Sequence, residues 1–132
     1  IDVNGKECEI IFGFEAIDYL DKKYPLEIQG LKQLGQGIQN TYNYLTKASP
    51  TAICEAIYAG TITEKDRASM PKIKEKVMQV ATENENGLQE LADELVEELK
   101  KQPLTKGVIS KLEKDQEVMV KAILEMVGEN EG

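Results

Sequence analysis

The sequence predicts a mainly α-helical fold, with a small N-terminal β-hairpin packed on a bundle of about five or six short amphipathic helices. Three observations carry that expectation. Asn4-Gly5 lies between short apolar runs, a strong turn signal because both central positions tolerate positive φ. Beyond Phe12, apolar residues recur at helical spacing. Serine, proline and glycine then punctuate those stripes where helices start and stop.

A two-residue turn at Asn4-Gly5 sets Val3 opposite Lys6 and Ile1 opposite Cys8. Ile1, Val3, Cys8, Ile10 and Phe12 then share one face, while Asp2, Glu7 and Glu9 take the other. Asp2 falls across from Glu7, a mild like-charge mismatch. A lone hairpin is marginally stable, so its apolar face must dock on helices or its edge must pair with another chain.

Phe14, Ile17, Leu20 and Tyr24 form a helical stripe that ends before Pro25. Leu26–Gly30 reads as a loop. Leu31, Leu34, Ile38, Tyr42 and Leu45 trace a second, longer helix, with Gly35 and Gly37 inside it. Each glycine costs roughly 1 kcal/mol against alanine. Close approach of another backbone, a helix ordered mainly by packing, and simple tolerance all fit them. Ser49-Pro50 opens a helix through Ala52, Ile53, Ala56 and Ile57 that stops at Gly60.

Thr61–Ser69 is polar and ambiguous, and Pro71 opens a helix carrying Ile73, Val77, Val80 and Ala81. Asn84–Gly87 breaks it. Asn86 and Gln89 have capping-box spacing for the most regular stripe of the chain, Leu88, Leu91, Ala92, Leu95 and Leu99. Gln102-Pro103 ends that helix. Thr105 caps the last one, with Leu104 and Ile109 spaced for a hydrophobic staple. Its stripe is Val108, Leu112, Met119, Ile123 and Val127, interrupted by Gln116.

A chain of 132 residues suits one domain. We expect it to span residues 1–127, the hairpin occupying 1–12, with a frayed tail at 128–132. The net charge of −8 is uneven: residues 1–50 carry 7 acids against 5 bases, and the remainder 17 against 11. Between Glu83 and Glu98 stand seven carboxylates and no cation. Such a surface repels phosphate backbones, which argues against nucleic acid, and favours a basic protein partner or simple solvation. Cys8 and Cys54 lack metal-ligand spacing and read as buried thiols of a reduced cytosolic protein. No apolar run approaches the length of a membrane span, and no signal peptide is visible. The chain opens on Ile1 without methionine, as expected if a few native residues precede it.

Histidine is absent, which removes imidazole general bases and histidine–metal sites. Glu97 with Glu98, and Glu94 with Glu98, are carboxylate pairs, but they fall on the helix face opposite the leucines. A two-carboxylate hydrolase would need one of them raised in a cleft. No catalytic residue, cofactor or metal is therefore expected.

Candidate partner-binding residues are Tyr44, which points away from its helix's apolar stripe, and Met119, Val120, Ile123, Leu124 and Met126 of the last helix. Tyrosine is enriched at hot spots, and methionine-bearing surfaces adapt to varied partners. The alternative for the last helix is packing into its own domain or against a copy of itself.

Several short motifs, taken in order, resemble one family. A hairpin ends in Phe12-Gly13-Phe14, and Gly30-Leu31 opens a long helix. Ser49-Pro50-Thr51-Ala52-Ile53 leads to Tyr58-Ala59, and Pro103-Leu104-Thr105-Lys106 follows later. Together they resemble the tail assembly chaperones of long-tailed phages and prophages of Gram-positive bacteria, over most of residues 1–112. The resemblance implies a non-enzymatic assembly factor that binds and solubilises the tape measure protein and helps recruit tail tube subunits. It also implies work in the bacterial host cytoplasm during assembly, and absence from the mature virion. A holder that covers a long rod must act in many copies, so weak homo-oligomerisation is expected through the hairpin edge or the last helix. The competing readings are a small acidic regulator or inhibitor working by charge, and a carboxylate-dependent enzyme.

Overall fold

The computed structural model describes residues 1–29, 31–33 and 36–131. Among them the fold is mainly helical, with an antiparallel N-terminal hairpin packed against the helices, as the sequence predicts. Strands β1 (Asp2–Val3) and β2 (Lys6–Glu7) pair in the expected register, Val3 against Lys6 and Asp2 against Glu7. The turn residues Asn4 and Gly5 both hold positive φ, 54° and 84°. Asp2 escapes the like-charge mismatch by turning its carboxylate to the turn, where it accepts the Gly5 N–H at 2.8 Å. Val3, Cys8, Ile10 and Phe12 are buried, so the hairpin's apolar face docks inward.

The docking is held by polar latches as well as by apolar area. Gln102 accepts the Phe12 N–H and donates to the Ile10 carbonyl, both at 2.7 Å. Ile11 donates its N–H to the Gly60 carbonyl at 2.8 Å. These bonds satisfy an extended segment that belongs to no sheet ladder.

Helix α1 (Phe14–Lys23) and helix α2 (Gly37–Thr46) cap one another. The Asp21 carboxylate accepts the Gly37 N–H at 2.9 Å, and Asn40 donates to the Tyr24 carbonyl at 2.9 Å. Gly37 is there for close approach: a Cβ would collide with the backbone of Leu20 and Asp21. Between these helices the sequence expectation fails. Instead of a loop and a long helix from Leu31, strands β3 (Leu26–Ile28) and β4 (Leu31–Gln33) pair antiparallel. Their register leaves two residues, Gln29 and Gly30, between them, and Gln29 has φ 52°. Gln29 thus holds the same left-handed region as Asn4, and helix propensity inside a Gly-x-Gly stretch is too poor to compete. Leu34 and Gly35, part of the expected helix, lie outside the described residues.

Helix α3 (Pro50–Gly60) starts and stops where expected, with the Ser49 hydroxyl accepting the Ala52 N–H at 3.3 Å. It is buried on nearly every side and packs against α1, α2, α4 (Met70–Glu83) and α5 (Gly87–Lys101). A helix apolar all round belongs at the centre, and this one is the hub. Its one buried acid, Glu55, accepts the Tyr19 hydroxyl at 2.5 Å and lies 3.5 Å from the Lys23 ammonium. The 61–69 segment is pinned by Arg67, which stacks 3.8 Å above the Tyr58 ring and donates to the Tyr58 carbonyl at 2.8 Å.

Two expected caps take other forms. Asn86 makes no side-chain cap, since its φ of −101° and ψ of 12° are not the extended geometry a capping box needs. Asn84 instead accepts the Asn86 N–H at 3.0 Å. Thr105 precedes helix α6 (Lys106–Glu131), but its hydroxyl donates to the Leu99 carbonyl at 2.7 Å, closing the end of α5. Helix α6 runs to Glu131, past the Val127 at which the sequence stripe ends. Buried residues form one connected core from Val3 to Ile109.

Candidate functional site

The candidate surface lies on α6. Its first turns pack on α2 and α5, with Ile109 fully buried and Val108 and Leu112 partly so. The corner is fastened by Lys100 of α5, whose ammonium lies 3.2 Å from Glu113. That hydrogen bond raises the Lys100 pKa above the usual lysine value.

Beyond Glu113 each residue of the helix through Gly128 is exposed. Met119 is 65 % exposed and Ile123 53 %, and Val120, Leu124 and Met126 are also more than half exposed. At 3.6 residues per turn, these five and Val127 share an arc of roughly 160°. Val108, Ile109 and Leu112 begin that same arc. That face, broken by Gln116, is therefore covered at its start and bare along the rest.

Of the sequence candidates, the structure brings Met119, Val120, Ile123, Leu124 and Met126 together on one surface and places Tyr44 elsewhere. Tyr44 is 45 % exposed, with its ring 5.4 Å from that of Tyr24. The Tyr24 hydroxyl is buried and has no hydrogen-bond partner among the described residues, and burial pushes its pKa up to about 12, with Glu55 adding to the effect. The tyrosine that sequence reasoning passed over is Tyr42. Val120 and Leu124 of α6 form, with Tyr42 of α2, a shallow groove flanked by Glu113 and Glu117. Burial, then the Glu113 charge, raises the Tyr42 pKa. The signal was present, since Tyr42 sits on the α2 stripe, but a stripe does not reveal which helix it will meet.

A second concave surface lies between the hairpin and α5. Glu90, Asp93, Glu94, Glu97 and Glu98 of α5 face Glu7, Glu9 and Glu64 across it, over a floor that includes Ile10 and Ile11. Lys101 also lines it, 2.7 Å from Glu98. Burial alone would raise the Glu98 carboxyl, but hydrogen bonds from Lys101 and Gln102 hold it below the usual range. That is the opposite of what a general acid needs. Among the described residues, no group of three or more acidic, cysteine or histidine side chains is arranged to hold a metal ion. Nor is any described helix long and apolar enough to cross a membrane.

The described chain thus joins a closed helical core to an exposed apolar helix face and an acidic groove, two surfaces of the kind found on polypeptide-binding proteins. The family comparison agrees with that class. Residues 1–114 match the family described as phage tail assembly chaperone protein, TAC, and the chain belongs to that family. No curated protein and no solved structure matches it. The family match stops two residues beyond Leu112, where the packed part of α6 gives way to the bare part.

Proposed function

We propose that this chaperone is a non-enzymatic factor that binds and solubilises the tape measure protein and helps bring tail tube subunits to it. It would work in the host cytoplasm during tail assembly and be absent from the finished virion. The observation that carries the reading is the bare apolar arc of α6 at Met119, Val120, Ile123, Leu124 and Met126. A tape measure protein before assembly presents long amphipathic helices, and a helix face of this width can be laid against them. Tyr44 contributes a separate exposed aromatic contact. Weak self-association would let many copies cover one long partner.

The test is co-expression with a tape measure protein of the same phage. The wild-type chain should carry the partner into the soluble fraction. Met119→Asp/Ile123→Asp, which alters exposed positions only, should fold and lose that rescue. No rescue by the wild type removes the reading.

A second reading, a small acidic regulator that binds by charge, is favoured by one observation: acids from α5, the hairpin and Glu64 converge on the same groove. It predicts affinity that collapses between low and high salt, whereas apolar contacts on α6 predict moderate salt dependence.

A further inference from the structure

We infer that the bare half of α6 in one copy docks into an apolar groove between α3 and α4 of a second copy. This goes beyond the holding role proposed above: the same arc of α6 serves a second copy when no partner helix covers it. The groove is lined by Pro50 and Cys54 of α3, Val77, Met78 and Ala81 of α4, and Leu88 of α5. Met78 stands at its lip, 68 % exposed. Lys23 and Lys74 are the cations on its lining. Lys23 is engaged with Glu55, but Lys74 takes part in no ion pair among the described residues. The start of α4 also carries Lys72 and Lys76 against one acid, Glu75, an island of positive charge on an acidic protein.

The bare half of α6 has the complementary chemistry. Residues 113–127 hold Glu113, Asp115, Glu117 and Glu125 against Lys114 and Lys121. Glu113 is committed to Lys100, while Glu117 and Glu125 form no ion pair among the described residues. Residues 116–127 give roughly 18 Å of apolar helix, enough to lie along a groove of this kind. Within one copy α6 rests on α2 and α5, and none of its residues lines the groove. An apolar helix flanked by acid and an apolar groove flanked by lysine therefore stay separate in each chain and fit between chains. The contact is heterologous, so each copy keeps a free tail or a free groove for the next.

The experiment is sedimentation velocity on the full chain over a concentration series, with circular dichroism to verify folding. A tail variant, Met119→Asp/Ile123→Asp, and a groove variant, Lys74→Glu/Met78→Asp, alter exposed positions at opposite ends of the contact. Lys74→Glu alone serves as the milder groove variant. Wild type should associate with concentration. Each variant alone should associate at least tenfold more weakly, and the equimolar mixture should form a 1:1 pair, because one intact tail and one intact groove remain. A mixture that stays monomeric, a groove variant that associates like wild type, or a wild type monomeric to millimolar concentration each overturns the inference. The tape measure protein is absent from this experiment, so its result is separate from that of the solubility test.

Discussion

Ile109 and Ile123 are the same residue on the same face of the same helix, two heptads apart, and their surroundings are opposite. Ile109 is fully buried against α2 and α5, whereas Ile123 is more than half exposed. Both sit on one side of the helix at helical spacing, and neither that spacing nor the staple expected of Ile109 with Leu104 states how deeply each is covered. The difference lies in what the rest of the fold offers. Helices α2 and α5 bury only the first turns of α6, and farther along Tyr42 merely borders a shallow groove, so the same apolar face is core at one end and an open surface at the other. An amphipathic stripe states that a face must be covered; it does not state by whom.

That contrast is easiest to break by cutting both isoleucines back. Ile109→Ala should destabilise the isolated protein by about 2–5 kcal/mol in chemical denaturation, the usual range for emptying a buried isoleucine site. Ile123→Ala should change it by less than about 0.5 kcal/mol, as surface substitutions do. Comparable losses at both positions would mean that the second half of α6 is covered within one chain. Amide hydrogen exchange should show the same boundary, with slow exchange near residues 108–112 and fast exchange beyond about residue 118.

A smaller effect is expected at the corner that sets where the packed half begins. Gln102→Ala strips partners from the Phe12 N–H and the Ile10 carbonyl at once. It should cost about 1–3 kcal/mol, read as a lowered denaturation midpoint with an unchanged slope. Self-association through the bare half should be untouched at temperatures where the variant is folded. Wild-type stability in Gln102→Ala would show that apolar burial alone docks the hairpin.

The smallest effect is electrostatic. Glu98 titrates lower in the folded chain than in the unfolded one, so its ionised form favours folding. That contribution is complete above the ordinary glutamate pKa of about 4.3 and is lost as pH falls through the lower folded value. Glu98→Gln should therefore lower stability slightly near neutrality and flatten the acid limb below about pH 4, so that the two profiles meet at low pH. The carboxyl is partly exposed, so the change should be small. An acid limb identical to that of the wild type would dismiss the Lys101 and Gln102 bonds as a source of stability.

How much was legible in the sequence varies with the range of the physics involved. The first hairpin, its register, the serine cap of α3 and its end at Gly60 follow from local rules, because turn dihedrals and caps depend on a few neighbouring residues. The β3–β4 hairpin depended on equally local chemistry and was misread. A turn beginning with glutamine is a weaker signal than Asn4-Gly5, and the stripe through Leu31 and Ile38 imitates a helix. The candidate surface on α6 was visible as residues and invisible as a surface: Met119, Val120, Ile123, Leu124 and Met126 would have read the same had another helix covered them.

The sequence by itself determined that this chain is helical, acidic, without histidine and built from amphipathic pieces, because composition and periodicity act at short range. Only the tertiary structure decided that α3 is the hub, that Gln102 and Asp21 reach across the fold as latches and caps, and that α5 faces the hairpin across an acidic groove. It also decided where the cover over α6 ends. Those outcomes depend on which faces meet in space, and the lengths and crossings of distant helices settle that jointly.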